Sequence, residues 1–356
     1  MSVTNKEGPK PILWRKHKSL LYHLYPAHLA APSARFTYTL GLGGLAVLTT
    51  LLTTVTGLLL MFYYEPTLTG AHPSLTLIDS VVAYGRFVRA LHYWAAQAMV
   101  LVVVLHMARV VFTGGYRPPR DLNWLIGLGL LVVTLLWNFT GYVLRMDADS
   151  IWALLVGTNL LKELPSIGAG LYRVVVGDAA ISAGTVLRFY TWHVFGLTLV
   201  GVGGMAYHLW RIHVDGGLSR PDWAAGPPPS LIPPDGVLAR DTILWITATA
   251  FLVLLAALAP PALGPAADLN HAGREVVLAP WIFLAVQYML RYLPPLWAGW
   301  LLPLGGLALL AALAWLDRRG PGRGRWFARA RRQPQVAFAG LLLLIIGLSL
   351  LEWLAA

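Results

Sequence analysis

Four histidines carry the first chemical signal in this chain. His92 and His106 stand 14 residues apart in one apolar segment, and His193 and His208 stand 15 apart in another. At 3.6 residues per turn these separations are ~3.9 and ~4.2 turns, so each pair lies on one helix face, its members ~21–22 Å apart along the axis. The two segments run in the same vertical sense, so His92 can face His193 at one depth and His106 can face His208 at another. Ionisable groups at bilayer depth are costly and usually functional. Two opposed imidazoles at each of two depths are what two six-coordinate haems need, and such centres favour electron transfer over oxygen activation. Hydrogen-bonded core histidines and a proton relay are the alternatives. Relays normally recruit Asp or Glu, and neither occurs within the first four apolar segments.

Glycines and arginines join the pattern. Gly43 and Gly57 lie 14 apart in the first apolar segment, and Gly127 and Gly141 lie 14 apart in the third. A flat macrocycle between four helices needs two helices without side chains at the contact levels. Close helix packing through small residues would use glycine too, but the shared register ties these four to the histidine levels. Arg89 lies three residues before His92, and Arg188 five before His193. Both fall at a membrane edge, where haem propionates would need cationic partners and where long cationic side chains also snorkel.

The elements that must hold these residues follow from composition. The chain has 356 residues, 57% apolar and 12% charged, against ~25% charged in soluble domains, and its mean hydropathy is +0.63. Cysteine is absent. Disulfides, cysteine-held zinc, iron–sulfur clusters and thioether-attached haem are therefore excluded. Seven segments are long enough to cross a bilayer, near 36–62, 84–112, 123–144, 185–212, 241–260, 296–316 and 335–354. The fold class expected is an all-α integral membrane protein. It comprises a cytoplasmic amphipathic tail over 1–35, a four-helix bundle over 36–213, a Pro/Gly-rich linker over 214–240 and a three-helix module over 241–356.

The net charge of +11 reads as topology rather than nucleic-acid binding, because Lys and Arg sit in short loops between apolar runs. Six lie in the tail, three between the second and third segments, three between the fourth and fifth and seven between the sixth and seventh. Only eight fall on the other side. The richer side should be cytoplasmic, with the N-terminus inside, the C-terminus outside and, most simply, a bacterial cytoplasmic membrane around it.

Longer motifs sharpen this. The second segment contains Arg89-Ala90-Leu91-His92 and is followed by Thr113-Gly114-Gly115-Tyr116-Arg117-Pro118-Pro119-Arg120-Asp121-Leu122. The third ends in Gly141-Tyr142-Val143-Leu144. Leu187-Arg188-Phe189 precedes His193, and Leu290-Arg291-Tyr292-Leu293-Pro294 precedes the sixth segment. In these motifs, over about 25–354, the chain resembles the cytochrome b family, the haem subunit of quinol–cytochrome c and quinol–plastocyanin oxidoreductases. The 15-residue spacing and seven-span length look like the chloroplast-type cytochrome with its two subunits fused. That form carries a further haem on a cysteine just before the first glycines. Gly41 stands there, so a third haem is not implied.

The resemblance implies two haem b groups, on His92 with His193 and on His106 with His208. It also implies a quinone site at the cytoplasmic face, on His213 and the pair Arg240-Asp241. Reducing a quinone takes two electrons and two protons, which a His and a carboxylate at its two oxygens can deliver with a cation nearby. The family's outer quinol site departs here. Its Pro-Glu-Trp-Tyr falls on Ala279-Pro280-Trp281-Ile282, and its Pro-Trp after Gly-Tyr-x-Leu falls on Arg145-Met146. Asp147, Asp149, Lys162, Glu163 and Glu275 lie nearby in sequence and could substitute. The partners implied are an iron–sulfur protein and a c-type cytochrome, or a different extracytoplasmic redox subunit, with membrane lipid around them. A dimer would follow the family's habit.

Overall fold

The computed structural model describes residues 29–220, 230–233, 235–268 and 277–355. The first 28 residues of the expected tail, most of the proline run in the linker, and Glu275 lie outside them. Long helices dominate: α1 (Phe36–Thr39), α2 (Leu42–Met61), α3 (Ala71–Ser80), α4 (Gly85–Thr113), α5 (Asp121–Val143), α6 (Ala148–Lys162), α7 (Gly168–Val176), α8 (Ala183–Thr191), α9 (Leu197–Val214), α10 (Asp235–Leu258), α11 (Leu284–Leu290), α12 (Leu302–Leu316) and α13 (Arg332–Ala355). Strand structure among the described residues is a two-residue antiparallel ladder of β1 (Leu29–Ala30) with β2 (Leu231–Ile232) and an isolated antiparallel bridge of Asp147 with Ala266.

Among the described residues, six helices have the length and apolarity to cross a membrane: Leu42–Met61, Gly85–Thr113, Asp121–Val143, Asp235–Leu258, Trp297–Leu316 and Arg329–Ala355. The fourth expected segment is helical from Ala183 to Val214, but a π-helical turn over Trp192–Gly196 divides it into α8 and α9. Apolar side chains such as Phe195, Ile243 and Leu343 point outward from these helices, as lipid-facing helices require.

Three boundaries differ from the sequence reading. The first segment breaks at Leu40 and Gly41, both left-handed at φ 51° and 63°, so α1 is a separate short helix. The helix of the fifth expected segment begins at Asp235, inside the expected linker. The stretch between the third and fourth segments forms α6 and α7, and α3 precedes α4. Asp147 caps α6 through a capping box with Ser150, which satisfies amides that would otherwise lack partners.

α2 packs along α4, α9 along α5, and α4 meets α5. The C-terminal helices dock onto this group. Leu252 and Ala256 of α10 pack against Ala90, Leu91 and Ala95 of α4. Leu310 and Leu313 of α12 and Phe338 of α13 pack against Met107, Val111, Trp124 and Leu128. A buried polar cluster sits beside that core. Asp317, just past α12, accepts hydrogen bonds from Arg117, from Tyr116 at 2.5 Å and from Arg331 Nε at 2.9 Å. Arg331 is fully buried and lies against Gly114, whose φ of 65° ends α4. A side chain at Gly114 would meet the Arg331 guanidinium at 2.6 Å.

Candidate functional site

The histidines come together in the expected pairs. The His92 and His193 rings have centroids 6.3 Å apart and planes at 68°. The His106 and His208 rings are 6.5 Å apart at 78°. Imidazole nitrogens bind first-row metals at about 2.0–2.1 Å, which puts each ring centre about 3.2 Å from a shared ion and the two centres about 6.4 Å apart. Each pair is spaced so that its two imidazoles would hold one metal ion between them. Each level supplies only two donors, and no group of three or more His, Asp or Glu able to hold an ion occurs among the described residues. The residues present fit a cofactor that brings the other donor positions itself, as haem does.

Each glycine has its own histidine. A Cβ at Gly57 would approach His92 Cε1 to 3.2 Å, at Gly43 His106 Cε1 to 3.5 Å, at Gly127 His208 Cε1 to 3.4 Å, and at Gly141 His193 Cε1 to 2.8 Å. The glycines of α2 thus back the histidines of α4, and those of α5 back His193 within the π turn and His208 on α9. The imidazoles pass over bare backbone, and their rings project toward the opposite helix.

The π turn explains the unequal spacings. The amide of Leu197 bonds the carbonyl of Trp192, five residues back, so this turn takes in one more residue than an α turn. Fifteen residues here advance about as far around the helix as 14 do along α4, and the ~4.2 turns expected from a regular helix are corrected accordingly. The His193 carbonyl is satisfied instead by Trp137 Nε1 at 3.2 Å and Thr198 Oγ1 at 3.1 Å.

The arginines differ from expectation. The buried Arg89 grips Asp79 through Nε at 2.6 Å and Nη2 at 2.5 Å, and also donates to the Pro261 carbonyl. A carboxylate within the chain already occupies this fork, the geometry guanidinium favours. Arg188 is exposed and donates to the Val174 carbonyl. The sequence reading missed Arg109, three residues after His106. Its Nε donates to the Tyr38 carbonyl at 3.1 Å and its guanidinium lies 4.4 Å over the Tyr38 ring. Its buried Nη2 has no hydrogen-bond partner, an arrangement suited to an anionic group of a bound ligand. The signal was present: Arg109 follows His106 by the interval at which Arg89 precedes His92. Two threonines were missed as well. Thr56 Oγ1 lies 3.0 Å from His92 Nδ1, and Thr140 Oγ1 2.9 Å from His193 Nδ1.

Of the expected quinone-site residues, Arg240 and Asp241 meet on the second turn of α10. Arg240 donates to Asp241 Oδ1 through Nη2 at 2.9 Å and to the Ala34 carbonyl at 2.7 Å. His213 stands exposed on the last turn of α9. On the opposite side, Asp147 is fully buried, paired with Arg145 and bonded to the Ser150 amide at 3.0 Å. Lys162 Nζ sits 3.9 Å over the Tyr172 ring, and Asp149 and Glu163 are exposed. Trp281 donates to Gln97 Oε1 at 2.7 Å.

Comparison with known proteins converges on one family. Residues 28–216 match the family described as Cytochrome b/b6/petB. The chain is 43% identical over 175 residues to cytochrome b6 of Heliobacterium mobile, covering 49% of this chain and 82% of that one. It is 37% identical over 210 residues to cytochrome b6 of Heliobacterium modesticaldum, covering 59% of this chain and 96% of that one. Its fold is similar to a chain of a hyperthermophilic respiratory complex III, with a TM-score of 0.76 and 23% identity over 88% of this chain and 83% of that chain. The protein therefore belongs to the cytochrome b/b6 family, integral membrane electron-transport proteins that bind haem b.

Proposed function

We propose that this chain is the seven-span, di-haem cytochrome b subunit of a quinol-oxidising complex resembling complex III. It would pass electrons across the membrane between an outer haem on His92 and His193 and an inner haem on His106 and His208. The observation that carries the reading is the pair of imidazole–imidazole separations, 6.3 and 6.5 Å, each sized for one bis-imidazole metal. Haem b supplies one-electron transfer without an open site for oxygen. The chain's part is to hold the imidazoles at two depths, to back them with glycine, and to present Arg109 at the inner level.

Quinone chemistry belongs at the cytoplasmic face, on His213, Arg240 and Asp241. Arg240 holds the Asp241 carboxylate and anchors to Ala34, so a proton donor and a cation stand together at the mouth of α10. Asp241→Asn should slow reoxidation of the inner haem by quinone at least tenfold while both haems stay bound. An unchanged rate removes Asp241 from the site. The pyridine hemochromogen assay of the full chain tests the larger claim, and fewer than two protohaems per polypeptide defeats it.

A second reading of the partner is supported by the opposite face. The family glutamate is replaced by Pro280, and Asp147 is committed to Arg145 and the α6 cap. On this reading the outer quinol site is lost, and an extracytoplasmic subunit other than an iron–sulfur protein exchanges electrons with the outer haem. A Rieske signal in paramagnetic resonance of the purified complex supports the first reading, and its absence with haem reduction retained supports the second.

A further inference from the structure

We propose that Thr56 and Thr140 are positioning residues that set the outer imidazole pair electronically apart from the inner one. This rests on the di-haem reading above. Each threonine hydroxyl faces the remote ring nitrogen of one outer histidine, at 3.0 Å for His92 and 2.9 Å for His193. Each also lies within hydrogen-bond distance of the carbonyl four residues back, Leu52 at 2.6 Å and Leu136 at 2.8 Å. A hydroxyl has one hydrogen. With that hydrogen donated to the carbonyl, the oxygen can only accept from the ring. Nδ1 must then carry the proton, which leaves the Nε2 lone pair for the metal.

A hydrogen bond from the remote N–H raises the basicity of a ligating imidazole. A more basic axial ligand favours the oxidised, more positive iron, one of the levers by which a protein sets haem potential. The two threonines act from opposite sides, Thr56 on α2 and Thr140 on α5, each immediately before the glycine that its histidine passes. The residues before the inner glycines are Leu42 and Ile126, which carry no hydroxyl. His208 Nδ1 is buried without a partner at hydrogen-bond distance, with the Asn123 backbone as its polar neighbour. At His193 the clamp is doubled, because Trp137, one turn before Thr140, holds the backbone carbonyl.

The test is a potentiometric titration of both haems in the full chain, as T56V, T140V and the double variant, after haem has been counted. One midpoint potential should rise in each single variant and rise further in the double, with the other potential fixed. T140S, which restores the hydroxyl, should return the value to that of the parent. Two bound haems with unmoved potentials, or equal movement of both, overturn the inference and leave the di-haem reading standing. Fewer than two haems in the parent protein defeats that reading, and the inference with it. If T140V loses haem, T56V on the other helix is read in its place. Loss from both overturns the proposal, because a purely structural role then suffices.

Discussion

Adding one methyl group at each of the four glycines gives a graded test of how the imidazoles are seated. The gaps between a Cβ and the facing ring are 2.8 Å at Gly141, 3.2 Å at Gly57, 3.4 Å at Gly127 and 3.5 Å at Gly43. Ordinary contact begins near the last two values, whereas the first lies inside any real carbon–carbon approach. Overpacking a tight site costs about 1–3 kcal/mol, and replacing a mid-helix glycine by alanine returns roughly 0.5–1 kcal/mol. Gly141→Ala should therefore cost about 1–2 kcal/mol net, since His193 cannot swing away while Thr140 and Trp137 hold it. That is ~5–30-fold weaker haem retention at this level. Gly57→Ala should cost less, and alanine at Gly127 or Gly43 least. Contact with the porphyrin adds to all four. Haem per polypeptide after mild detergent challenge, with thermal unfolding followed at the Soret band, measures the order. Equal damage at all four, or the greatest damage at Gly43, would refute the reasoning.

Other consequences can be checked in parallel. His106→Leu should leave one haem of two, the one on His92 and His193, as counted by hemochromogen; retention of both refutes the pairing. Arg109→Gln should shift the potential of the inner haem and leave the outer one in place, because its unpartnered Nη2 lies three residues from His106. Asp317→Ala strands the buried Arg331 and Arg117, and breaking a buried pair in this way costs about 3–5 kcal/mol. Denaturant titration in detergent should show the loss, and a change below about 1 kcal/mol would deny the cluster its role. Burial alone would raise the Asp317 carboxyl, but hydrogen bonds from Arg117, Tyr116 and Arg331 overcome it and hold the group below its ordinary range. An acid with a lowered folded-state value stabilises above its unfolded value and loses that contribution as pH falls through the folded one. Stability should be flat from neutral to about pH 5 and fall below about pH 4, and Asp317→Ala should flatten that acid limb.

Much of the frame could be read from residue order, because the bilayer imposes long apolar runs and because a repeat of 14 or 15 keeps side chains on one helix face. The four histidines and their four glycines were legible for that reason. Elements of another kind were not. α3, α6 and α7 are short and mixed in polarity, and they owe their place to tertiary packing. The break at Leu40 and Gly41 has no proline to announce it. The cluster at Asp317 joins residues 200 positions apart, which no local pattern reveals. Thr56 and Thr140 look like ordinary helix threonines bonded to the preceding turn until the rings of α4 and α8–α9 are set beside them. Arg89 was legible as a cation near His92, but its partner Asp79 lies on a separate helix.

The π turn at Trp192–Gly196 makes the two ligand-bearing helices unequal in their tolerance of a lost residue. Deleting one residue between His193 and His208 can be absorbed by relaxing the wide turn to a regular one, leaving both rings in phase. The same deletion between His92 and His106 has no slack to draw on and swings one ring about 100° around its axis. One helix is thus buffered against the loss of a codon, and its partner is not.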